Sequence, residues 1–389
     1  MVAASGSINV LPNVFYNMPN RRSYIEIECC DELRKLVAQG GMLRHYAFQS
    51  VDFAVVAEAA GCDYTDCIFM GCHIPDNMRQ RIDANCYIFP AIPKPFNLFP
   101  AQMYSACTLY RGYDPKREES FLSCYDSRVY AHYIAQGKQA ADIGETLARS
   151  LHDHSVSDAL HDMLAKYDDR DVVAVMGGHA VARTDEMYLT VARLSKLLTE
   201  QGKLMISGGG PGAMEATHLG AWMAGRADEE LLQAVELLAC APKFEDKGWL
   251  SSAFEVMERY PRDEKYCSIG VPTWFYGHEP ATPFASHIAK YFDNSIREDG
   301  LLAIAKGGVI YSPGSAGTMQ EVFQDAAQNH YKTFGFASPM VFLGREHWTR
   351  KIPVYPLLEQ LQSEGRYKNL LLSLADTAEE AAGKILEFK

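Results

Sequence analysis

From about Asp171 onward the sequence predicts a doubly wound α/β domain built on a mainly parallel sheet. Three observations carry this. Apolar runs of four to six residues alternate with stretches of helical spacing, the pattern of parallel strands covered on both faces. Two of those runs end in glycine-rich turns, Ser-Gly-Gly-Gly-Pro-Gly-Ala-Met-Glu at 207–215 and Pro-Gly-Ser-Ala-Gly-Thr-Met-Gln-Glu at 313–321. Each turn opens a helix-like segment, and ligands of such sheets lie at that carboxyl edge.

The first 165 residues read differently, and we expect an accessory region over 1–165 followed by the α/β domain over 166–389. Met1-Val2-Ala3-Ala4-Ser5 lacks the basic start and sustained apolar stretch of a secretory leader, so a cytoplasmic location is expected. Cys62, Cys67 and Cys72 recur every five residues, with Tyr64, Phe69 and Ile74 two positions after each, and Phe48 and Phe53 keep the interval upstream. That spacing resembles the pentapeptide-repeat pattern, a square β-solenoid coil with small and large residues pointing inward; irregular α+β structure is the alternative. Pro90, Pro93, Pro95 and Pro100 mark loops, and helical character returns over 138–166.

In the α/β part, 171–176 is a strand ending in Gly177-Gly178, 184–201 a helix and 203–207 a strand. The first glycine turn launches a helix over 211–224, and 228–241 is helical with acids in its first turn. A weaker strand at 268–272 precedes a long helix expected over 283–305. The strand 308–312 feeds the second turn and a helix to about His330. Strands at 339–344 and 370–374, with helices over 354–363 and from Thr377, complete the series.

Composition narrows the function classes. Hydrophobic content of 48% with 22% charged residues belongs to a globular chain. A net charge of −12, from 37 basic and 49 acidic residues, argues against a nucleic-acid-coating surface. No run is long enough to span a bilayer, so no membrane partner is expected. Eight of the ten cysteines precede residue 125. A chain of this size without a visible export signal gives no reason to pair them as disulfides.

Backbone N–H groups at a glycine-lined helix start attract phosphate. In the second turn, Thr318-x-x-Glu321 reads either as a capping box or as a carboxylate placed beside such a site. The first turn is not G-x-G-x-x-G, because Ala213 takes the last position, and no acid stands at the end of the next strand; a mononucleotide suits it better than NAD. Arg297, followed by Glu298 and Asp299, reads as a solvated helix face or as a phosphate ligand. His154, Asp158 and His161 could share a helical face, but Ser157 looks like an N-cap that would leave His154 outside. Cys62, Cys67 and Cys72 with His73 read as core packing, so no metal is expected at either cluster. The aromatics at 273–280 read as core, or as a platform for a nucleobase.

Over roughly 170–389 the chain resembles the LONELY GUY family of nucleoside 5′-monophosphate phosphoribohydrolases, often mislabelled as lysine decarboxylases. The family's P-G-G-x-G-T-x-x-E is matched by Pro313, Gly314, Gly317, Thr318 and Glu321, with Ser315 at its third position in place of Gly. Its G-G-G turn is matched by Gly208, Gly209 and Gly210, followed here by Gly212 and Met214, and its helix arginine by Arg297. The resemblance implies a Rossmann-like fold and hydrolysis of the N-glycosidic bond, giving free base and ribose 5-phosphate. Glu321 and Arg297 would be catalytic, and the two turns, from Gly208 to Met214 and from Pro313 to Thr318, would hold the substrate. It further implies no metal or redox cofactor, a nucleoside monophosphate partner and a homodimer or higher homo-oligomer. His278, Glu279 and Asp325 are the candidates for a general acid. A nucleotide-sensing module without turnover is the alternative, favoured by Ser315 and the large extra region. No lysine stands in an evident pyridoxal-linking context.

Overall fold

The computed structural model describes residues 24–388. The leader expectation rests on residues outside these. By internal contacts the chain divides after Ala91 into two units.

The first unit is a short parallel solenoid. Its strands are β1 (Ile25–Ile27), β2 (Met42–Arg44), β3 (Tyr46–Gln49), β4 (Asp63–Thr65), β5 (Ile68–Met70) and β6 (Tyr87–Phe89), with helices α1 (Cys30–Val37) and α2 (Asp76–Arg79). One face pairs β1-β3-β5-β6 and another pairs β2-β4, all parallel, and an Asp52–His73 bridge marks a third. Leu43 lies opposite Tyr64 and Ala47 opposite Ile68, so one coil spans about four five-residue units. The solenoid reading therefore holds. Phe48, Phe53, Tyr64 and Phe69 fill the interior, with Phe48 and Phe69 stacked at 5.0 Å. Cysteine suits the position two residues earlier because it is small and its S–H is a weak donor. The Cys72 thiol donates to Phe48 O at 3.2 Å, and that of Cys67 to Leu43 O at 3.5 Å, each in the preceding coil. Burial pushes both thiols up to about 11, which suits them to packing. All ten cysteines are free.

The second unit is Rossmann-like. Its seven strands are β7 (Val172–Met176), β8 (Leu204–Ser207), β9 (Ser268–Gly270), β10 (His287–Ile288), β11 (Gly308–Tyr311), β12 (Pro339–Leu343) and β13 (Leu371–Ala375). They pair in the order β10-β9-β8-β7-β11-β12-β13, all parallel. β7, β8, β11 and β12 are buried along their whole length, which is why each reads as an unbroken apolar run. The chain starts at β7, winds outward to β10, then crosses back to place β11 on the other side of β7. The connections after β7 and β11 therefore part in opposite directions, and a crevice opens at that switch point. The covering helices include α6 (Glu186–Glu200), α7 (Ala213–Trp222), α8 (Asp228–Leu238), α9 (Trp249–Arg259), α10 (Asn294–Ile304), α11 (Ala316–Tyr331), α12 (Val354–Ser363) and α13 (Ala378–Leu386).

Three expectations are corrected. Residues 92–165, including helices α3 (Ala106–Leu109), α4 (Tyr125–Gln136) and α5 (Ile143–Leu164), group with the sheet rather than with the accessory region. Buried polar pairs fasten them there. Asp126 accepts from Lys290 Nζ at 2.7 Å and Trp274 Nε1 at 2.8 Å, and Asp153 accepts from the N–H groups of Phe292 and Asp293. Unpairing either carboxylate would leave a buried charge, so these contacts fix the placement. The helix expected over 283–305 begins only at Asn294, capped by Asp293, because His287 and Ile288 pair with β9 instead. The helix Ile143–Leu164 is capped by Asp142, not Ser157, whose hydroxyl bonds back to Asp153 O inside the helix. His154 thus lies within that helix.

Candidate active site at the sheet's switch point

Three turns meet at the carboxyl edge of the sheet: 177–185 after β7, 208–212 after β8 and 312–315 after β11. Gly178 ties them together. Its N–H donates to Pro313 O at 3.2 Å, and its carbonyl accepts from Ala213 N at 3.2 Å. Gly177 has no room for a Cβ, which would collide with the Ser312 hydroxyl.

The first glycine turn is closed over by protein. Residues 207–213 are all buried. The Arg297 guanidinium and the Met214 sulfur occupy the space beside Gly208, and the Met214 methyl covers Gly210. Gly209, at φ +69°, leaves a would-be Cβ 2.8 Å from Pro272 and 3.0 Å from Val271 N; its carbonyl accepts from Thr282 N at 2.8 Å. Gly212, at φ +70°, would place a Cβ 2.5 Å from Gly178 O. Below, Ser207 Oγ and Ser268 Oγ hold the two ring nitrogens of His218 at 2.8 and 2.9 Å. Burial lowers that imidazole to about 3, so it stays neutral and structural.

The second turn is open. Ser315, Ala316 and Gly317 are exposed, and nothing lies within 4 Å of the position a Gly317 side chain would take. The α11 helix starts at Ala316 with Ser315 as its N-cap residue, so Thr318 and Glu321 lie inside it and are not a capping box. Thr318 is buried with its side chain under Gly314, where a Cβ would clash with the hydroxyl. Ser315 has φ −116°, a value any residue adopts, so serine in place of glycine strains nothing. The first-turn N–H groups of α11 have no intrahelical acceptor and face the open side, a ready anion site.

Arg297 is no solvated residue. Its side chain is 12% exposed, and Nε donates to Val271 O at 3.0 Å. Glu321, one helical turn beyond Thr318, is partly buried. Burial pushes its carboxyl from 4.5 up to about 7; the Arg297 charge opposes this and Glu298 adds to it. Asp325, a turn further, is fully buried, is pushed by burial to about 7, and accepts from the Tyr311 hydroxyl at 2.6 Å. That bond points Asp325 into the β11 side of the core, away from a role as acid to a departing base. Trp274 is core, bonded to Asp126, while Phe275 lies under Lys138 Nζ at 4.2 Å.

Sequence reasoning passed over His179. It follows Gly177-Gly178 at the end of β7, and that dipeptide at a strand end was the available signal. The His179 Nδ1 lies 3.8 Å from Glu279 Oε1, and His278 Nε2 lies 3.8 Å from the same oxygen. The other Glu279 oxygen is 3.7 Å from where a Gly210 Cβ would stand. A cavity of about 130 Å³ adjoins this group, lined by His179, Gly212, Glu215, Lys243, Glu245 and Trp249 among others. Glu215, although part of the first glycine motif, is spent on a buried pair: Arg183 Nε and Nη2 donate to it at 2.9 and 2.5 Å.

No protein-family model matches the chain, and no curated protein matches it. Among solved structures it is similar to a molybdenum cofactor binding protein from the phototrophic bacterium Rippkaea orientalis, at 16% identity and a TM-score of 0.35 over 56% of this chain and 95% of that one. A molybdenum cofactor carrier protein from Chlamydomonas reinhardtii gives 16% and 0.35 over 56% and 96%. The protein TM1055 gives 21% and 0.36 over 56% and 98%. At these identities and scores the likenesses carry no inference about function.

Proposed function

We propose that the chain is a nucleoside 5′-monophosphate phosphoribohydrolase of the LONELY GUY type, acting at the open second turn. The observation that carries this reading is Glu321: a carboxylate held up to about 7 by burial, within the field of Arg297, one turn into the helix that the exposed glycine turn launches.

The 5′-phosphate would bind the first-turn N–H groups near Ser315, Gly317 and Thr318, with the bare Gly317 letting it approach and Arg297 adding charge. Phosphate binding then positions the ribose, converting remote affinity into orientation. As the base leaves, positive charge builds at the anomeric carbon, and the Glu321 carboxylate stabilises it or takes a proton from the attacking water. A partly buried carboxylate near 7 is about half ionised at neutral pH, and its ionised form is basic enough for that work. Gly208, Gly209 and Gly210 act in this scheme as scaffold: they let Arg297 and Met214 pack close. A homodimer, the arrangement the resemblance implies, is part of the proposal.

One observation favours the second reading, a nucleotide-binding module without turnover. The first glycine turn is sealed, so of the two glycine turns one remains open to hold a phosphate. Incubation with a panel of nucleoside monophosphates, with release of ribose 5-phosphate as the readout, separates the two. Release supports the hydrolase; binding without release from any member supports the module.

A further inference from the structure

We propose that His179 is the general acid that protonates the departing nucleobase, with Glu279 as its positioning residue; this rests on the phosphoribohydrolase reading above.

An N-glycosidic bond breaks with its electron pair going to a base nitrogen, and a purine or pyrimidine anion is a poor leaving group unless a proton arrives as the bond lengthens. Glu321 is suited to the opposite face of the reaction, taking a proton from water or stabilising charge. Asp325 is turned into the core against Tyr311. A proton donor must therefore come from another turn of the crevice. His179 has the placement. Its neighbour Gly178 is hydrogen-bonded to Pro313 of the open turn and to Ala213 of the closed one. The imidazole is 48% exposed, Glu279 lies 3.8 Å from its Nδ1, and the cavity it lines borders Pro211 and Gly212 of the closed turn. At 3.8 Å the Glu279 carboxylate stands just beyond hydrogen-bond length, and in this proposal it closes on Nδ1 and orients the ring when the nucleotide binds. His278 shares that carboxylate, but it lines a separate groove with Leu122, Ile134 and Leu250.

The step balances as written. Water attacks the anomeric carbon and gives its proton to Glu321; the carbon–nitrogen bond breaks toward the base; the His179 N–H passes to the base nitrogen. Free base and ribose 5-phosphate leave, and the Glu321 proton returns to His179 through solvent.

The test compares two leaving groups in wild type, His179→Asn, Glu279→Gln and His278→Asn, each checked for an unchanged melting temperature. One substrate is a nucleoside monophosphate. The other is 4-nitrophenyl ribofuranoside 5-phosphate, whose phenolate departs without protonation. His179→Asn is expected to lose about 10²–10³-fold in kcat on the nucleotide and less than about threefold on the nitrophenyl substrate. Glu279→Gln is expected to show the same split at smaller size, and His278→Asn to affect both substrates alike. Equal loss on both substrates, or no loss, in His179→Asn overturns the role and leaves the hydrolase reading standing. A wild-type protein inert toward every nucleotide but active on the nitrophenyl substrate overturns the role and the nucleotide reading together.

Discussion

Gly208, Gly209 and Gly210 lie beneath Met214, Pro272 and Arg297, while Ser315, Ala316 and Gly317 are exposed and no atom lies near the place a Gly317 side chain would take. The two turns end neighbouring regions of one sheet and read alike in sequence. In the first turn protein packs against each of these glycines; in the second, Thr318 fills the space before Gly314 and Gly317 alone leaves its backbone bare. Glycine content alone does not separate these causes; what occupies the space in front of the backbone does.

One added methyl group in each turn should act in opposite ways. Gly209→Ala forces a side chain onto a φ of +69° and against Val271 N, so we expect a loss of about 2–4 kcal/mol in unfolding free energy. Gly317→Ala is expected to change stability by less than about 0.5 kcal/mol, and to weaken nucleotide binding instead. Denaturant melts with calorimetric titration of a nucleoside monophosphate check both. Equal stability losses would erase the distinction.

Arg297 packs beside Gly208 of the closed turn, and its charge acts on Glu321 of the helix that the open turn launches, so its removal bears on both. Arg297→Ala should raise KM for a nucleotide about 10–100-fold, since a charge-assisted phosphate contact is lost. Because the Arg297 charge holds the Glu321 carboxyl down, the acid limb of the pH–rate profile, expected near 7 in wild type, should also move to higher pH. An unmoved limb would separate the two residues.

Glu321 and Asp325 also make stability depend on pH. Their folded values, each about 7, stand above the ordinary 4.5 and 3.8, so the folded chain binds more protons than the unfolded one across that window. Stability therefore falls as pH rises from about 4 to about 7 and then levels, by on the order of 1–3 kcal/mol per group. Glu321→Gln and Asp325→Asn should each flatten part of the slope in chemical denaturation. The smallest effect belongs to Ser315→Gly: with φ already at −116°, turnover should change by less than about threefold.

Much of the fold was legible because the central strands are covered on both faces and read as unbroken apolar runs, and because the five-residue spacing of Cys62, Cys67 and Cys72 marks solenoid coils. The stretch 283–293 misled because helix-like spacing there gives way to a two-residue edge pairing with β9, a tertiary contact. The true grouping of 92–165 was hidden for the same reason: Asp126 with Lys290 and Asp153 with the backbone near Phe292 are long-range pairs. At the site, Glu321 and Arg297 could be picked from motif and helix position. The closure of the first turn could not, since Met214, Pro272 and Arg297 reach it from three segments. His179 was missed because a histidine after two glycines carries no motif until Glu279 is placed beside it.

Whether the open turn's carboxylate does chemistry on a bound nucleotide separates a hydrolase from a binding module. The direct measurement is ribose 5-phosphate release by wild type and Glu321→Gln under saturating nucleoside monophosphate, with binding followed in parallel. We expect release by wild type, a fall of about 10²–10⁴-fold in kcat for the variant, and binding within a few-fold of wild type. Undiminished release by Glu321→Gln, or none by the wild-type protein with any nucleotide, would contradict it.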